Sequence, residues 1–295
     1  MLQMLLRLLT LLICAAASAM MAGVSAQFPH NYHFSHLKSA DGLPHQQIED
    51  MAFDKMGRLW IGTRNGLSCY DGYTFTTYYH EPADSTSIPY NFITRLLVDS
   101  DNTLWVGSEQ GLCRYRPETD DFRRYGEISE RVGRIVQLRN GEVICCGTRV
   151  SRYDRDTDRF TDIPLRNNRY VLGAALSPDN RLFIATDTDI SYIEGDSHRQ
   201  TILDPALYAD FLHGSDCIVP LFFDSRGHLW VGRNGRGAMD VDLATGERTI
   251  YDSPRITDGT VRVIAEDHSG LIWLGTEVGL SLIHISEPTR LGMIS

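Results

Sequence analysis

The chain has 295 residues but only six cysteines, and their spacing matches no zinc-binding pattern. It contains no Gly-rich phosphate-binding loop, no G-x-S-x-G nucleophile elbow and no calcium loop with its turn glycine and closing glutamate in place. Cations are in deficit: 28 Lys plus Arg against 38 Asp plus Glu give a formal charge of −10. A nucleic-acid partner is gripped through a cationic face that displaces counterions, so this balance argues against one. The remaining composition, 42% hydrophobic and 22% charged, excludes collagen, a disulfide-dense miniprotein and a wholly disordered chain.

Residues 1–26 lack any acidic residue and carry one cation, Arg7. The apolar run Leu8 to Ala17 and the small-residue end Val24-Ser25-Ala26 have the layout of a secretory signal peptide, with cleavage expected before Gln27. Export to the periplasm follows as an expectation. Five cysteines then remain: Cys69, Cys113, Cys145, Cys146 and Cys217. Their odd number and the strain of bridging adjacent Cys145 and Cys146 favour small buried hydrophobes over disulfides.

All four tryptophans stand in one recurring sentence. Asp54, Asp99, Asp224 and Asp267 each precede a tryptophan by six residues: Trp60, Trp105, Trp230 and Trp273. A glycine follows two residues later in every copy, as Gly62, Gly107, Gly232 and Gly275. Phe183 and Ile144 take the tryptophan position in two degenerate copies, the latter with its register open by one residue. The six positions are separated by 45, 39, 39, 47 and 43 residues, the period of a β-propeller blade.

Within a unit, Ile48–Phe53 and Ile93–Val98 are short runs of strand-forming residues, and Asp-x-x-Gly or Asp-x-x-Asn is a tight turn into the next apolar run. Two further turns divide each unit into four strands, an antiparallel sheet that must stack on neighbours to bury its faces. The expected fold is all-β, a propeller of four-stranded antiparallel blades with six recognisable units and no closure within this stretch. The tryptophan is expected to fill the wedge between blades, and the glycine to admit the neighbouring blade.

The sequence Asp41-Gly42-Leu43-Pro44, then Trp60-Ile-Gly-Thr-x-x-Gly66-Leu67, Tyr70-Asp71-Gly72 and the passage through Ile88-Pro89-Tyr90-Asn91, resembles the two-component regulator propeller repeat. The resemblance extends from about residue 33 to 280 and is to the periplasmic sensors of hybrid two-component systems from gut Bacteroidetes. It implies two seven-bladed propellers and a β-sandwich ahead of a transmembrane helix, followed by histidine kinase, receiver and DNA-binding domains. It further implies a homodimeric receptor for glycan-derived oligosaccharides, with membrane contact only through a C-terminal part. The chain departs from the family in showing six units where seven are usual. By family habit Tyr32–Leu37 would complete the last blade. Residues 281–295 leave the repeat pattern and resemble translated adapter sequence, so the domain plan is signal 1–26, incomplete propeller 27–280 and foreign tail 281–295. The chain is accordingly expected to be a piece of a kinase that itself lacks the kinase domain.

Propeller ligands usually meet loops at one mouth of the central channel. The residues ahead of the first strands are His45, Gln46, Tyr90, Asn91, Ser215, Asp216, Asp258 and Gly259, a polar set able to bond sugar hydroxyls and stack on a pyranose. His45, Gln46, Tyr90, Asn91, Asp216 and Asp258 are the candidate ligand residues; no catalytic residue, metal or cofactor is expected. Two alternatives stay open. One is a secreted propeller enzyme acting on carbohydrate, a sialidase-like hydrolase or a lyase, although the Ser and Thr that accompany sialidase Asp boxes are not at these turns. The other is a propeller that binds protein.

Overall fold

The computed structural model describes residues 41–295 except 166–169, 187–188, 195–196, 200–218, 234, 236, 253–258, 277–278, 285–290 and 295. The signal segment, the strand expected at 32–37 and Cys217 therefore lie outside the described residues. Among those described, 24 strands form six four-stranded sheets in simple chain order. Sheet 1 contains β1 (Ile48–Phe53), β2 (Leu59–Thr63), β3 (Gly66–Tyr70) and β4 (Phe75–Tyr78). Sheet 2 contains β5 (Ile93–Val98), β6 (Leu104–Ser108), β7 (Gly111–Arg116) and β8 (Asp121–Tyr125). Sheet 3 contains β9 (Arg134–Gln137), β10 (Val143–Cys146), β11 (Val150–Asp154) and β12 (Arg159–Ile163). Sheet 4 contains β13 (Gly173–Leu176), β14 (Leu182–Ala185), β15 (Ile190–Glu194) and β16 (Ser197–Arg199). Sheet 5 contains β17 (Leu221–Phe223), β18 (Leu229–Arg233), β19 (Gly237–Val241) and β20 (Arg248–Tyr251). Sheet 6 contains β21 (Val261–Glu266), β22 (Leu271–Thr276), β23 (Leu280–His284) and β24 (Leu291–Ile294). Residue 280, the boundary drawn from the repeat pattern, is the first residue of β23, and β24 pairs with β23 through Ile283 and Leu291.

The turn between first and second strands explains why the tryptophan sentence recurs. Asp54 Oδ1 accepts the backbone N–H groups of Met56 and Arg58 at 2.9 and 3.0 Å, while Oδ2 accepts Trp60 Nε1–H at 3.1 Å. The same three bonds recur around Asp99, Asp224 and Asp267, with indole nitrogens at 2.9, 3.0 and 2.8 Å. One carboxylate thus closes the turn with one oxygen and orients the indole with the other. The backbone must pass through positive φ inside this turn, at Gly57 (82°), Asn102 (67°), Gly227 (86°) and Gly270 (81°), where glycine and asparagine are tolerated.

The degenerate copies keep the backbone and replace the chemistry. In sheet 3, Leu138 N–H bonds Glu142 O and Gly141 N–H bonds Leu138 O, the pattern that Asp54, Arg58 and Gly57 make in sheet 1. Ile144 therefore takes the tryptophan position and pairs with Val136, as Trp60 pairs with Ala52, which closes the open register. In sheet 4 the position of the turn aspartate is Ser177, whose hydroxyl accepts Arg181 N–H at 3.0 Å and bonds Asp179. Phe183, opposite Ala175, cannot donate a hydrogen bond, so the carboxylate is dispensable there.

Five buried cores join the sheets in series, each built from one sheet's second and third strands and the facing side of the next. Trp60 packs with Ile93, Leu96 and Val106, and Trp230 with Val261, Ile264 and Leu274. The glycine after Trp60, Trp105 and Trp230 faces the segment leading into or opening the next sheet, whereas Gly275 faces Val263 of its own sheet. A Cβ on Gly62 would lie 2.6 Å from Ile93 Cγ2, and one on Gly107 2.6 Å from Val132 Cγ1. The buried Cys69, Cys113, Cys145 and Cys146 are free thiols within these cores, and burial pushes Cys69 up to about 11 and Cys146 up to about 12.

The first strands are innermost, β1 packing on β5, β5 on β9, β9 on β13, β13 on β17 and β17 on β21. Among the described residues the series is open between sheet 6 and sheet 1. Phe53 and Met51 on β1 are accordingly 67% and 56% exposed, whereas Ile93 to Leu96 of β5 are buried.

Tyrosine hydroxyls tie the outer edges of sheets 1 to 3. Asp120 Oδ1 accepts Tyr78 OH at 2.6 Å and Tyr115 OH at 2.7 Å; Asp158 Oδ1 accepts Tyr125 OH at 2.8 Å and Tyr153 OH at 2.7 Å. In each case one tyrosine comes from the preceding sheet. The acidic turn 154–158 is thus a hairpin whose last aspartate, at φ 51°, clamps two sheets.

Replacing Asp224, which is 2% exposed, by alanine strands the Trp230 indole and two backbone N–H groups. The expected loss is about 2–4 kcal/mol in urea unfolding; a loss below about 0.5 kcal/mol contradicts the account. Burial acts to raise the Asp54, Asp224 and Asp267 carboxyls, but the tryptophan, arginine, serine and backbone hydrogen bonds outweigh it and hold each below its ordinary value of 3.8. Between folded and unfolded values the unfolded chain binds more protons, so this stabilisation is complete above about pH 5 and declines as pH falls through 4 and below. Chemical denaturation at pH 7, 5 and 3.5 should show that decline, and Asp224→Ala should flatten it.

Candidate functional site

At the inner end of the sheets the first strands do not run straight. Register shifts lie between Ile48 and Asp50, between Ile93 and Arg95, and between Val261 and Val263. Each bulge inserts one extra residue and re-aims side chains at the start of an innermost strand, a device common beside binding sites. In sheet 2 it carries Thr94 and Arg95 inward. Thr94 Oγ1 donates to Val132 O at 2.7 Å, and Arg95 donates from Nε to Gly133 O at 2.9 Å and from Nη1 to Thr94 O at 2.5 Å.

Several charges gather here. Asp50 accepts Met51 N–H on Oδ1 at 2.9 Å and Leu96 N–H on Oδ2 at 3.0 Å, so its carboxylate bridges sheets 1 and 2. Glu49 is held by Arg64 at 2.6 Å and Glu109 by Arg131 at 3.2 Å. Arg95 and Arg134, on neighbouring innermost strands, are each pushed down from the ordinary guanidinium value, first by burial. Tyr170, which follows sheet 3, contacts the same place: its hydroxyl lies 3.1 Å from where a Cβ on Gly133 would stand.

The residues singled out from sequence are placed as follows. His45 Nδ1 accepts Gln47 N–H at 3.0 Å, and Gln46 is exposed. Tyr90 is 37% exposed, with its ring 6.4 Å from that of His80. Asn91 holds the loop itself, accepting His80 N–H on Oδ1 and Gly66 N–H on its backbone oxygen, both at 2.7 Å. Gly259 O accepts Gly237 N–H at 2.6 Å. Ser215, Asp216 and Asp258 lie outside the described residues. Sequence reasoning missed Arg95, Arg134 and Asp50. The available signal was an arginine in the apolar run Ile93-Thr-Arg-Leu-Leu-Val98, where strand alternation alone does not place a buried cation.

A second cluster lies in sheet 5, where Asp224, His228 and Asp240 bring three ligand-type atoms within 4.8 Å of one another. Arg226 Nη2 reaches Asp224 Oδ2 at 2.7 Å and Asp240 Oδ2 at 3.3 Å, and His228 Nδ1 lies 2.9 Å from Asp240 Oδ1. Burial raises the Asp240 carboxyl, while His228 and Arg226 draw it down. A guanidinium therefore already serves the carboxylates that a metal would need, and the group locks the turn to β19.

Residues 42–65 and 87–110 match the family described as two component regulator propeller. A 58-residue stretch, 20% of the chain, is 47% identical to Histidine kinase P4 of Formosa agariphila and covers 4% of that protein. The fold resembles the extracellular domain of BT3049 from B. thetaiotaomicron, assigned to a hybrid two component system. The TM-score is 0.71 at 22% identity, over 88% of this chain and 36% of that one. Virginiamycin B lyase from Staphylococcus aureus is similar in fold alone, with a TM-score of 0.63 at 15% identity over 84% of each chain. The chain thus spans a small part of the kinase and about a third of the two-component structure.

Arg226→Ala should destabilise the chain by about 1–3 kcal/mol, because the buried Asp224 and Asp240 lose their shared cation. Zinc or manganese added to the unaltered chain should leave the melting temperature unchanged; a saturable rise would show that a metal displaces Arg226.

Proposed function

We propose that this chain, which carries two-component regulator propeller repeats, is the ligand-sensing extracytoplasmic region of a hybrid histidine kinase. The observation that carries the reading is the conjunction of those repeats with 47% identity to a histidine kinase over 58 residues. The fold likeness to the extracellular domain of a two-component system agrees with it. The leader-like residues 1–26 would deliver the region across the inner membrane, and the kinase would lie beyond this stretch of sequence.

In this reading the propeller binds and does not turn over its ligand, an oligosaccharide released from a glycan. Tight turns and interlocked cores hold the sheets rigid, while the mouth at the inner strand ends recognises the ligand. Binding biases a homodimer between two arrangements, and only a ligand with different affinity for the two can signal. His45, Gln46 and Tyr90 would supply hydrogen bonds and a stacking surface from the loops; Asp216 and Asp258 remain candidate ligand residues from the sequence alone. Asn91, with its Oδ1 engaged by His80, would chiefly fix the loop that presents Tyr90.

The genomic reading frame tests this directly. It should continue into a transmembrane helix and histidine kinase motifs, and a stop codon after one further blade would overturn the proposal. The full-length protein in lipid vesicles should then autophosphorylate from ATP at a rate altered by a glycan oligosaccharide that is recovered intact. Consumption of the sugar would instead establish a propeller hydrolase or lyase.

A further inference from the structure

The inner ends of sheets 2 and 3 hold an unusual set of donors. Arg95 is 7% exposed, and its hydrogen-bond partners, Gly133 O and Thr94 O, are both backbone carbonyls. Among the described residues no carboxylate comes within ion-pair distance of it. Arg134, one residue beyond Gly133, has a buried Nε without a hydrogen-bond partner, and the buried Tyr170 hydroxyl is likewise unpartnered. Buried polar groups are normally satisfied; of the four unpartnered buried side-chain atoms among the described residues, two lie near the buried Arg95.

Two groups meet at Gly133: Arg95 Nε grips its carbonyl at 2.9 Å, and the Tyr170 hydroxyl lies 3.1 Å from its Cβ position. Arg134 is the next residue, the first of β9, and its guanidinium is within electrostatic reach of Arg95. The glycine is required by packing, since a Cβ would stand 2.8 Å from Val171 O. The local charge is unbalanced. Glu49 and Glu109 have their own arginines, Arg64 and Arg131. Asp50 is the remaining acid within electrostatic reach of Arg95 and Arg134, and its two oxygens accept backbone N–H groups. Two guanidiniums thus face one carboxylate, and Arg134 is pushed down to about 10 by burial first and by the Arg95 charge second.

We propose that Arg95, Arg134 and Tyr170 form an anion subsite that takes an acidic substituent of the ligand, a carboxylate or a sulfate ester. A planar guanidinium matches the spacing of such oxygens and donates to two of them at once, and a phenol adds a neutral donor. The anion would supply acceptors to Arg134 Nε and Tyr170 OH and would offset the repulsion between the two arginines. This inference rests on the ligand-sensing reading for its context but not for its test.

Calorimetry and thermal melting of this chain should be run with sodium sulfate, with glucuronate and with neutral glucose, at constant ionic strength set by chloride. Saturable binding of sulfate or glucuronate, with a rise in melting temperature, is expected; glucose should give neither at the same concentrations. Sulfate alone would identify a sulfate-ester subsite, and glucuronate alone a carboxylate subsite. Arg134→Met should raise the melting temperature without anion, because it removes a buried, unpartnered Nε and the repulsion from Arg95, and should weaken anion binding at least tenfold. Tyr170→Phe should weaken binding severalfold while the chain stays folded. Anion effects equal in the unaltered chain and in folded Arg134→Met, or no saturable binding by either anion, would overturn the subsite. A kinase that answers only to neutral sugars would spare the sensor reading and remove this one, while anion binding by a chain whose gene lacks a kinase would do the reverse.

Discussion

The structure depends on one carboxylate performing two tasks. In four of the six sheets an aspartate closes the turn between first and second strands and accepts the indole N–H of the tryptophan six residues later. A large ring is the most effective filler of the wedge between sheets, but its one polar atom must be satisfied when buried. The aspartate meets that need from within its own turn, so sheets 1, 2 and 5 each carry a pre-oriented wedge into the next sheet. Glycine two residues on completes the fit by leaving room for Ile93 or Val132 of the next sheet.

The repeat was legible because this coupling ties three residue types to fixed offsets. Trp60, Trp105, Trp230 and Trp273 marked the blades, and the backbone pattern around Leu138 and Ser177 fixed the two copies in which the residues had drifted. The clamps at Asp120 and Asp158 were less visible. Their tyrosine partners come from the preceding sheet, 42 and 33 residues away, and no local spacing exposes a bond that spans two units. The same limit hid Arg95. Its burial follows from a bulge and from the carbonyl of Gly133 on the next sheet, and both are properties of the assembled fan.

Sheets 1 to 3 divide their labour by radius. Outer turns and tyrosine clamps join neighbours, the middle strands carry the apolar cores, and the innermost strands gather the charge. The apolar residues of β1 show the same logic at an open flank: Met51 and Phe53 are exposed because no described sheet packs ahead of β1. A wedge needs a partner on both sides, and the end sheets of the series have one. Innermost charge is costly to keep, and the buried Arg95 with the unpartnered Arg134 Nε and Tyr170 hydroxyl carries that cost.

The account's central claim is that buried aspartate–indole bonds hold the sheets in register. Proton exchange of the tryptophan side chains, followed by NMR on nitrogen-15-labelled protein, measures those bonds one by one. The fully buried Trp60, Trp105 and Trp230 indole N–H groups should exchange only through opening of their sheets and persist far longer than that of the half-buried Trp273. Rapid exchange of all four at a common rate would contradict it.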